Sequence, residues 1–298
     1  MRVLVTGASG FIGTALVAAL TEAGHTPRGL GRTTGPGQEW HRADLAVPAS
    51  LHGCCAGCEA VIHLGGIAHT KASAAHHIQV TVGGTEALLA EARSAGVQHL
   101  LFVSSIKAEC ADDDYAKSRR AAEDLIREAP GLATMIVRPA LVYGPGMRGN
   151  LDRLLTLAAW PLPLPLPRDG ARRSMVHRDD LVRVLMALIA APRPGASYTV
   201  TDGKSYTLRE IYDVMRVGLG RSPARQALPF WTVTQAAWLA DRCPPGRARR
   251  GTRLFAPLLE SCVSDDQRVW ADLGMNPRYG LASAMRELRA SRGLGRAL

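Results

Sequence analysis

Val3-Leu4-Val5-Thr6-Gly7-Ala8-Ser9-Gly10-Phe11-Ile12-Gly13 reads as a buried strand that runs straight into a glycine-spaced turn and then a helix. Gly7 permits the tight turn, Gly10 lets the backbone approach a pyrophosphate, and Gly13 lets the helix pack close on the strand. The helix that starts at Phe11 and Ile12 then aims its free N–H groups at the phosphates. A glycine-rich turn with no ligand is the plainer alternative. The context argues against it, because an apolar strand precedes the glycines and Thr14-Ala15-Leu16-Val17-Ala18-Ala19-Leu20 follows as good helix material. The stretch points to a bound dinucleotide.

The bulk composition sets the class. With 298 residues and 47% hydrophobic content, the chain can bury a large α/β core, with or without a smaller lobe. An excess of 36 Lys+Arg over 26 Asp+Glu gives +10, which favours an anionic partner: a phosphorylated ligand, nucleic acid or an anionic membrane surface. Nucleic acid is the weakest of these, since aromatics are only 5% and are not interleaved with the basic residues. No apolar stretch approaches a membrane span and the first residues already form a strand, so a cytoplasmic location is expected. Six cysteines are scattered, with Cys54, Cys55 and Cys58 in one short stretch where a helix between two strands is expected. Partly buried free thiols explain that cluster better than zinc, which needs a fourth ligand at suitable spacing, and no metal is expected.

Apolar runs at Arg2–Thr6, Pro27–Leu30, Ala60–Leu64, His99–Ser104 and Ala133–Arg138 alternate with helix-length segments, the pattern of a doubly wound parallel sheet. Ile78–Ala95 and Tyr115–Ala129 carry the helical period, the second after Asp112-Asp113-Asp114, acids suited to a helix N-terminus. Both helices are expected beside the ligand crevice. Beyond Arg138-Pro139 the texture changes to Tyr143-Gly144-Pro145-Gly146 and then Pro161-Leu162-Pro163-Leu164-Pro165-Leu166-Pro167. Prolines at alternate positions forbid a helix or a central strand, so this segment is expected to be extended, across the mouth of a site or as an exposed linker. Helical patterns dominate from about Leu208, with a basic stretch between Arg242 and Arg253. The expected division is a Rossmann-type α/β domain over residues 1–170, to which segments at about 174–202 return, and a smaller C-terminal α/β substrate lobe over 203–298.

Further motifs join the glycine turn: Ala43-Asp44-Leu45, His63-Leu64-Gly65-Gly66, Val103-Ser104-Ser105, Tyr115 opening a helix, Arg138-Pro139, and Arg173 through Leu181. On these the chain resembles the extended short-chain dehydrogenase/reductase superfamily, and within it the nucleotide-sugar epimerase/dehydratase family, over nearly its whole length. The resemblance implies that Asp44 and Leu45 contact adenine, that Leu64, Gly65 and Gly66 form a loop over the cofactor, and that Pro139 lines it. It also implies that Asn150 and Arg173 touch a nucleotide diphosphate. Ser104-Ser105-Ile106-Lys107 and the passage from Gly149-Asn150 into the proline-leucine run look like the branch that acts on UDP-linked sugars in surface-polysaccharide assembly, as 4-epimerases or 4-keto reductases. A homodimer is compatible with that family.

Converting a carbinol to a ketone needs a base near the hydroxyl, a hydrogen-bond donor on the same oxygen, and a nicotinamide ring to receive hydride. Tyr115 is the candidate acid/base and Ser105 the candidate donor. An unperturbed tyrosine titrates near pH 10 and needs adjacent positive charge to act at neutral pH. The family supplies it with a lysine four residues on, one helical turn away. Here that position is Arg119. Its charge is retained, worth about 4 kcal/mol at ~4 Å and intermediate dielectric, but a planar guanidinium is not expected to fit the slot of a compact ammonium. Lys117 points to another face, and Lys107 is the residue that could substitute. Only ten positions separate Ser105 from Tyr115, short for the family, and Thr81 stands where the family has asparagine.

Gly29-Leu30-Gly31-Arg32-Thr33 lacks the acid that grips the 2′-hydroxyl of NAD, and Arg32 could accept a 2′-phosphate. NADP is therefore favoured over NAD, with a solvated Arg32 as the plain alternative. His177 with Asp179-Asp180 reads as a turn and helix cap. Arg247, Arg249, Arg250 and Arg253 could close on a diphosphate or touch an anionic membrane, and a solvated basic loop is the commoner explanation. The expected function is oxidoreduction or epimerisation at carbon 4 of a UDP-linked sugar. The alternative is an NAD(P)-binding sensor whose catalysis is impaired by Arg119 and the short Ser105–Tyr115 loop.

Overall fold

The computed structural model describes residues 1–35, 39–67, 72–147, 149–229, 231, 232, 235 and 260–285. Its elements in chain order are β1 (Arg2–Thr6), α1 (Phe11–Glu22), β2 (Thr26–Gly31), β3 (Glu39–Arg42), β4 (Ala60–His63), α2 (Ala74–His77), a π-helical turn (Ile78–Gly83) and α3 (Gly84–Ser94). There follow β5 (His99–Val103), α4 (Lys107–Cys110), α5 (Asp114–Arg127), β6 (Ala133–Pro139), β7 (Leu141–Tyr143), α6 (Asn150–Ala158), β8 (Arg172–His177), α7 (Arg178–Ala190), β9 (Ser197–Val200), β10 (Ser205–Thr207) and α8 (Leu208–Gly218).

The chain divides into two compact units. The first comprises Met1–Ala140, Arg178–Val200 and Asp266–Asn276. It holds a seven-stranded parallel sheet in the order β3-β2-β1-β4-β5-β6-β9. The order reverses at β1, which pairs with β2 on one side and β4 on the other, so the loop after β1 lies at the switch point where open α/β sheets bind ligands. Central strands read as unbroken apolar runs because helices cover both faces: Val3, Leu4, Val5, Val61, Ile62, Leu100, Leu101 and Phe102 are fully buried.

The second unit comprises Leu141–His177, Thr201–Asp265 and Pro277–Leu298 and holds a three-stranded sheet in the order β10-β8-β7. Its helix α8 begins with a capping box, in which the Thr207 side chain accepts from Glu210 and Glu210 accepts from the Thr207 backbone. The sequence placed the end of the first domain near residue 170; by contacts the sheet-bearing unit ends at Ala140 and regains Arg178–Val200.

Two local expectations are corrected. The segment around Cys54, Cys55 and Cys58 is a 3-10 turn over Pro48–Leu51 followed by further turns, with no α-helix. Gly53 and Gly57 at positive φ break the helical run. The three thiols are free and fully rather than partly buried, in the core with Leu51, Leu88 and Leu100. The helix expected from Ile78 begins instead with the π-helical turn, which gives Thr81 a place below the surface. Arg247, Arg249, Arg250 and Arg253 lie outside the described residues.

Candidate active site

The glycine turn is built as its spacing requires. Gly7 adopts φ +67°, its N–H donates to the Leu30 carbonyl (3.1 Å), and its carbonyl accepts from Gly10 N–H (2.9 Å). A Cβ on Gly13 would fall 2.2 Å from that carbonyl, and one on Gly7 would fall 3.3 Å from the Gly65 nitrogen, so α1 and the loop after β4 close tightly on the turn. Gly10 caps α1 with no side-chain hydrogen bond and no acid stands in the first turn, which leaves the N–H groups at Phe11, Ile12 and Gly13 to an anion. Phe11 is braced from outside by the Arg178 guanidinium, 5.6 Å from its ring.

Across the switch point, His63-Leu64-Gly65-Gly66 is held by a buried chain of hydrogen bonds. Gly65 N–H donates to Thr6 Oγ1 (2.8 Å), and the Thr6 hydroxyl donates to His63 Nδ1 (2.7 Å), because the Thr85 proton is spent on Thr81 O and the imidazole proton therefore sits on Nε2. His63 Nε2 then donates to Thr85 Oγ1 (3.0 Å), and Thr85 donates to the Thr81 carbonyl (2.5 Å). The direction of the chain fixes the neutral imidazole tautomer. Complete burial, with a smaller contribution from the Arg119 charge, pushes His63 down to about 3. Leu45 packs under the same loop: a Cβ on Gly65 would fall 2.5 Å from its Cδ1. Asp44 organises the turn after β3, donating its N–H to Ser50 Oγ (2.9 Å) and accepting from Ala46 N–H (2.9 Å).

Ser105 and Tyr115 are both half-buried in this unit. The backbone around Ser105 is pinned to β6 by Ser104 N–H on Val137 O (2.7 Å) and Ile106 N–H on Pro139 O (3.0 Å). Tyr115 stands in the first turn of α5, capped by Asp113, whose carboxylate accepts from Ala116 N–H (2.8 Å). Arg138 bonds both Glu109 of α4 and Glu123 of α5 and so ties together the helices that follow Ser105 and carry Tyr115. Burial opposes the charge on Glu123, yet Arg138 and Arg127 outweigh it and hold the carboxyl below its ordinary range.

Arg119 lies inside this unit beside Tyr115. Its side chain is buried, with the guanidinium carbon 5.2 Å from the Tyr115 ring centre and 5.7 Å from that of Phe102, and Nη1 donating to Val103 O (3.3 Å). The room comes from Gly66, at φ +136°: a Cβ there would fall 2.7 Å from Arg119 Nη2. Lys107 Nζ is paired with Asp113 Oδ2 (2.8 Å).

Among the described residues, seven buried side-chain polar atoms of this unit have no hydrogen-bond partner, and Arg119 Nε, Thr81 Oγ1 and His77 Nδ1 are among them. His77 stands edge-on to Tyr115, with ring centres 6.0 Å apart. With the uncapped α1 N-terminus and the glycine cradle, an orphaned donor beside Tyr115 is what a dinucleotide with a ribose hydroxyl would satisfy, so the residues present fit that group.

At the far end of the crevice Arg32 directly follows β2 and is exposed. Arg42, which ends β3, donates from Nε to the Arg32 carbonyl (3.2 Å). Trp40 lies across Gly29 and Gly35, where added Cβ atoms would fall 2.2 and 2.6 Å from its ring. Sequence reading missed Trp40 and Arg42 because β3 went unseen, and it passed over His77; the Gly29-Leu30-Gly31 spacing was the available sign of a large ring overhead.

In the second unit Asn150 opens α6 after Gly149. Arg173 lies on β8, paired to Tyr206 of β10, and its Nη2 reaches the Glu260 carbonyl (3.5 Å). His177 closes β8, while Asp179 and Asp180 stand in the first turn of α7 in the first unit, where Asp180 pairs with Arg183 (2.7 Å). Among the described residues no cluster could hold a metal ion.

Comparison with known proteins agrees with this geometry. The model of the NAD dependent epimerase/dehydratase family matches residues 3–202. A ceramide reductase of Caulobacter vibrioides is 33% identical over 80% of this chain and 77% of its own. A UDP-glucose 4-epimerase of Vibrio cholerae is 25% identical over 77% of this chain and 79% of its own. Among solved structures, MoeE5 in complex with UDP-glucose and NAD superposes with a TM-score of 0.78 over 98% of this chain and 99% of its own, at 24% identity.

Proposed function

The chain belongs to the NAD dependent epimerase/dehydratase family, and from that premise we propose that it interconverts a secondary alcohol and a ketone with a nicotinamide dinucleotide, using Tyr115 as acid/base. The observation that carries this reading is the buried Arg119 guanidinium 5.2 Å from the Tyr115 ring, beside an otherwise unsatisfied donor. Bound nicotinamide supplies or receives the hydride. In the reducing direction the Tyr115 phenol gives its proton to the carbonyl oxygen, Ser105 donates a hydrogen bond to the same oxygen, and the phenolate left behind is stabilised by Arg119. Oxidation is the reverse. NADP is the preferred cofactor in this proposal, with Arg32 and the neighbouring Arg42 as anchors for a 2′-phosphate.

Two substrate readings rest on different observations. Asn150, Arg173 and the epimerase relative support carbon 4 of a UDP-linked sugar, either as an epimerase that returns the hydride to the opposite face or as a 4-keto reductase. The 33% identity to a ceramide reductase supports a long-chain ketone instead. A single panel separates them. Reduced nicotinamide is mixed with the chain and either a UDP-4-keto sugar or a 3-oxo long-chain amide, UDP-glucose and UDP-N-acetylglucosamine are tested for epimerisation, and loss of reduced-cofactor absorbance is followed. Turnover with one class assigns it. No turnover with any member, while the cofactor still binds, would replace the enzyme by the sensor alternative.

A further inference from the structure

Among the large apolar side chains of the second unit that are turned to solvent are Leu162 (80% exposed), Val217 (59%), Trp160 (55%) and Leu228 (46%). The chain segments that carry them border a groove of about 720 Å³, between the proline-leucine run from Pro161 and the segment Gly220–Gln226.

The groove is built rather than collapsed. Arg216, 2% exposed, bridges its walls: Nη1 donates to the carbonyls of Ala158 (3.1 Å) and Trp160 (2.8 Å), while Nε donates to Ser222 O (2.6 Å). The first of these carbonyls ends α6, where a cation is favoured by the helix dipole. Arg209 clamps the walls a second time, from Nη1 to Leu166 O (2.6 Å) and Gln226 O (2.9 Å), with Nε on Asp213 (2.6 Å). A guanidinium buried on carbonyls is costly to desolvate. Both Arg209 and Arg216 are committed to this one surface feature, each bonded to carbonyls on the proline-leucine side and the Gly220–Gln226 side.

Charge selects the occupant. Among the described residues the groove is lined by Arg221 and Arg225, both exposed and in no ion pair, and by no acid. The chain as a whole carries +10. Exposed tryptophan and leucine beside arginine is the composition of a surface that lies in a bilayer interface, with apolar groups at the acyl boundary and guanidinium groups at anionic headgroups. No helix among the described residues is long and apolar enough to cross a membrane. We propose that this face docks on an anionic lipid bilayer, with Trp160 and Leu162 inserted and Arg221 and Arg225 on the headgroups.

Flotation of the full chain with vesicles tests it. Native protein should float with phosphatidylglycerol vesicles, release as salt is raised, and bind pure phosphatidylcholine at least tenfold more weakly. Trp160→Ser with Leu162→Ser, and separately Arg221→Glu with Arg225→Glu, should each lower phosphatidylglycerol binding at least tenfold and leave the cofactor-induced rise in melting temperature unchanged, which controls for folding. No flotation of the native chain overturns the proposal, as does undiminished binding in both variants. Concentration-dependent self-association abolished by the same substitutions overturns it too, and assigns the face to a second copy of the chain.

Discussion

At the scale of the residue, the proposed chemistry turns on a cation that cannot leave its proton behind. Arginine stays charged at every working pH, so in the proposed mechanism Arg119 acts on Tyr115 as a fixed charge and not as a proton relay. The guanidinium carbon stands 5.2 Å from the centre of the Tyr115 ring. Arg119→Met is therefore expected to cut turnover at neutral pH by one to two orders of magnitude (about 1.4 kcal/mol per tenfold) and to move the pH optimum upward, measured as a full pH–rate profile. Arg119→Lys should retain turnover. Gly66 is the other half of this arrangement. Gly66→Ala is strained by its positive φ in any background, but the clash with Nη2 exists only opposite arginine. A double-mutant cycle on melting and cofactor affinity should give a coupling of about 0.5–3 kcal/mol, with Gly66→Ala better tolerated in the Arg119→Lys background than in the native one. Additive effects would mean that glycine is there for its backbone alone.

At the scale of the element, the buried chain Thr6–His63–Thr85–Thr81 joins β1, β4 and α3 behind the loop Leu64–Gly66. His63 has a depressed folded value, so above about 6.5 it is neutral whether folded or unfolded and costs nothing. Between 6.5 and about 3 only the unfolded chain takes up this proton, so stability falls as pH falls through that window. Urea unfolding across the window should show this uptake, and NMR of the imidazole should find no titration above about pH 4; a His63 that titrates near 6.5 would contradict the chain of bonds. Much of this layer was legible in the sequence. Five strands announce themselves as apolar runs because a parallel sheet is buried on both faces, and Asp112-Asp113-Asp114 read as acids suited to a helix N-terminus, of which Asp113 is the cap. β3 did not, because Glu39-Trp40-His41-Arg42 is a polar edge strand stabilised by pairing of Glu39 with Arg2 and Arg28. With β3 went Trp40 and Arg42. The accommodation of Arg119 was not legible either, since it depends on an absent side chain at Gly66, distant in sequence and adjacent in space.

At the scale of the whole molecule, a ligand that binds only the folded chain raises its stability by mass action, about 2.7 kcal/mol at one hundred times its dissociation constant. NADP is expected to raise the melting temperature more than NAD. Arg32→Ala should reduce the NADP shift and spare the NAD shift, because one charge-assisted contact is worth about 1.5–3 kcal/mol. Equal loss for both would reduce Arg32 to a surface residue. Gly10→Val should abolish both shifts in a chain that still folds. The central claim, that this unit moves a hydride with Tyr115 handling the proton, is tested most directly by single-turnover oxidation of bound reduced nicotinamide on adding the ketone panel. Oxidation by the native chain is expected with at least one ketone, and its loss by a thousandfold or more in Tyr115→Phe with cofactor still bound. Oxidation at the same rate in Tyr115→Phe would contradict it.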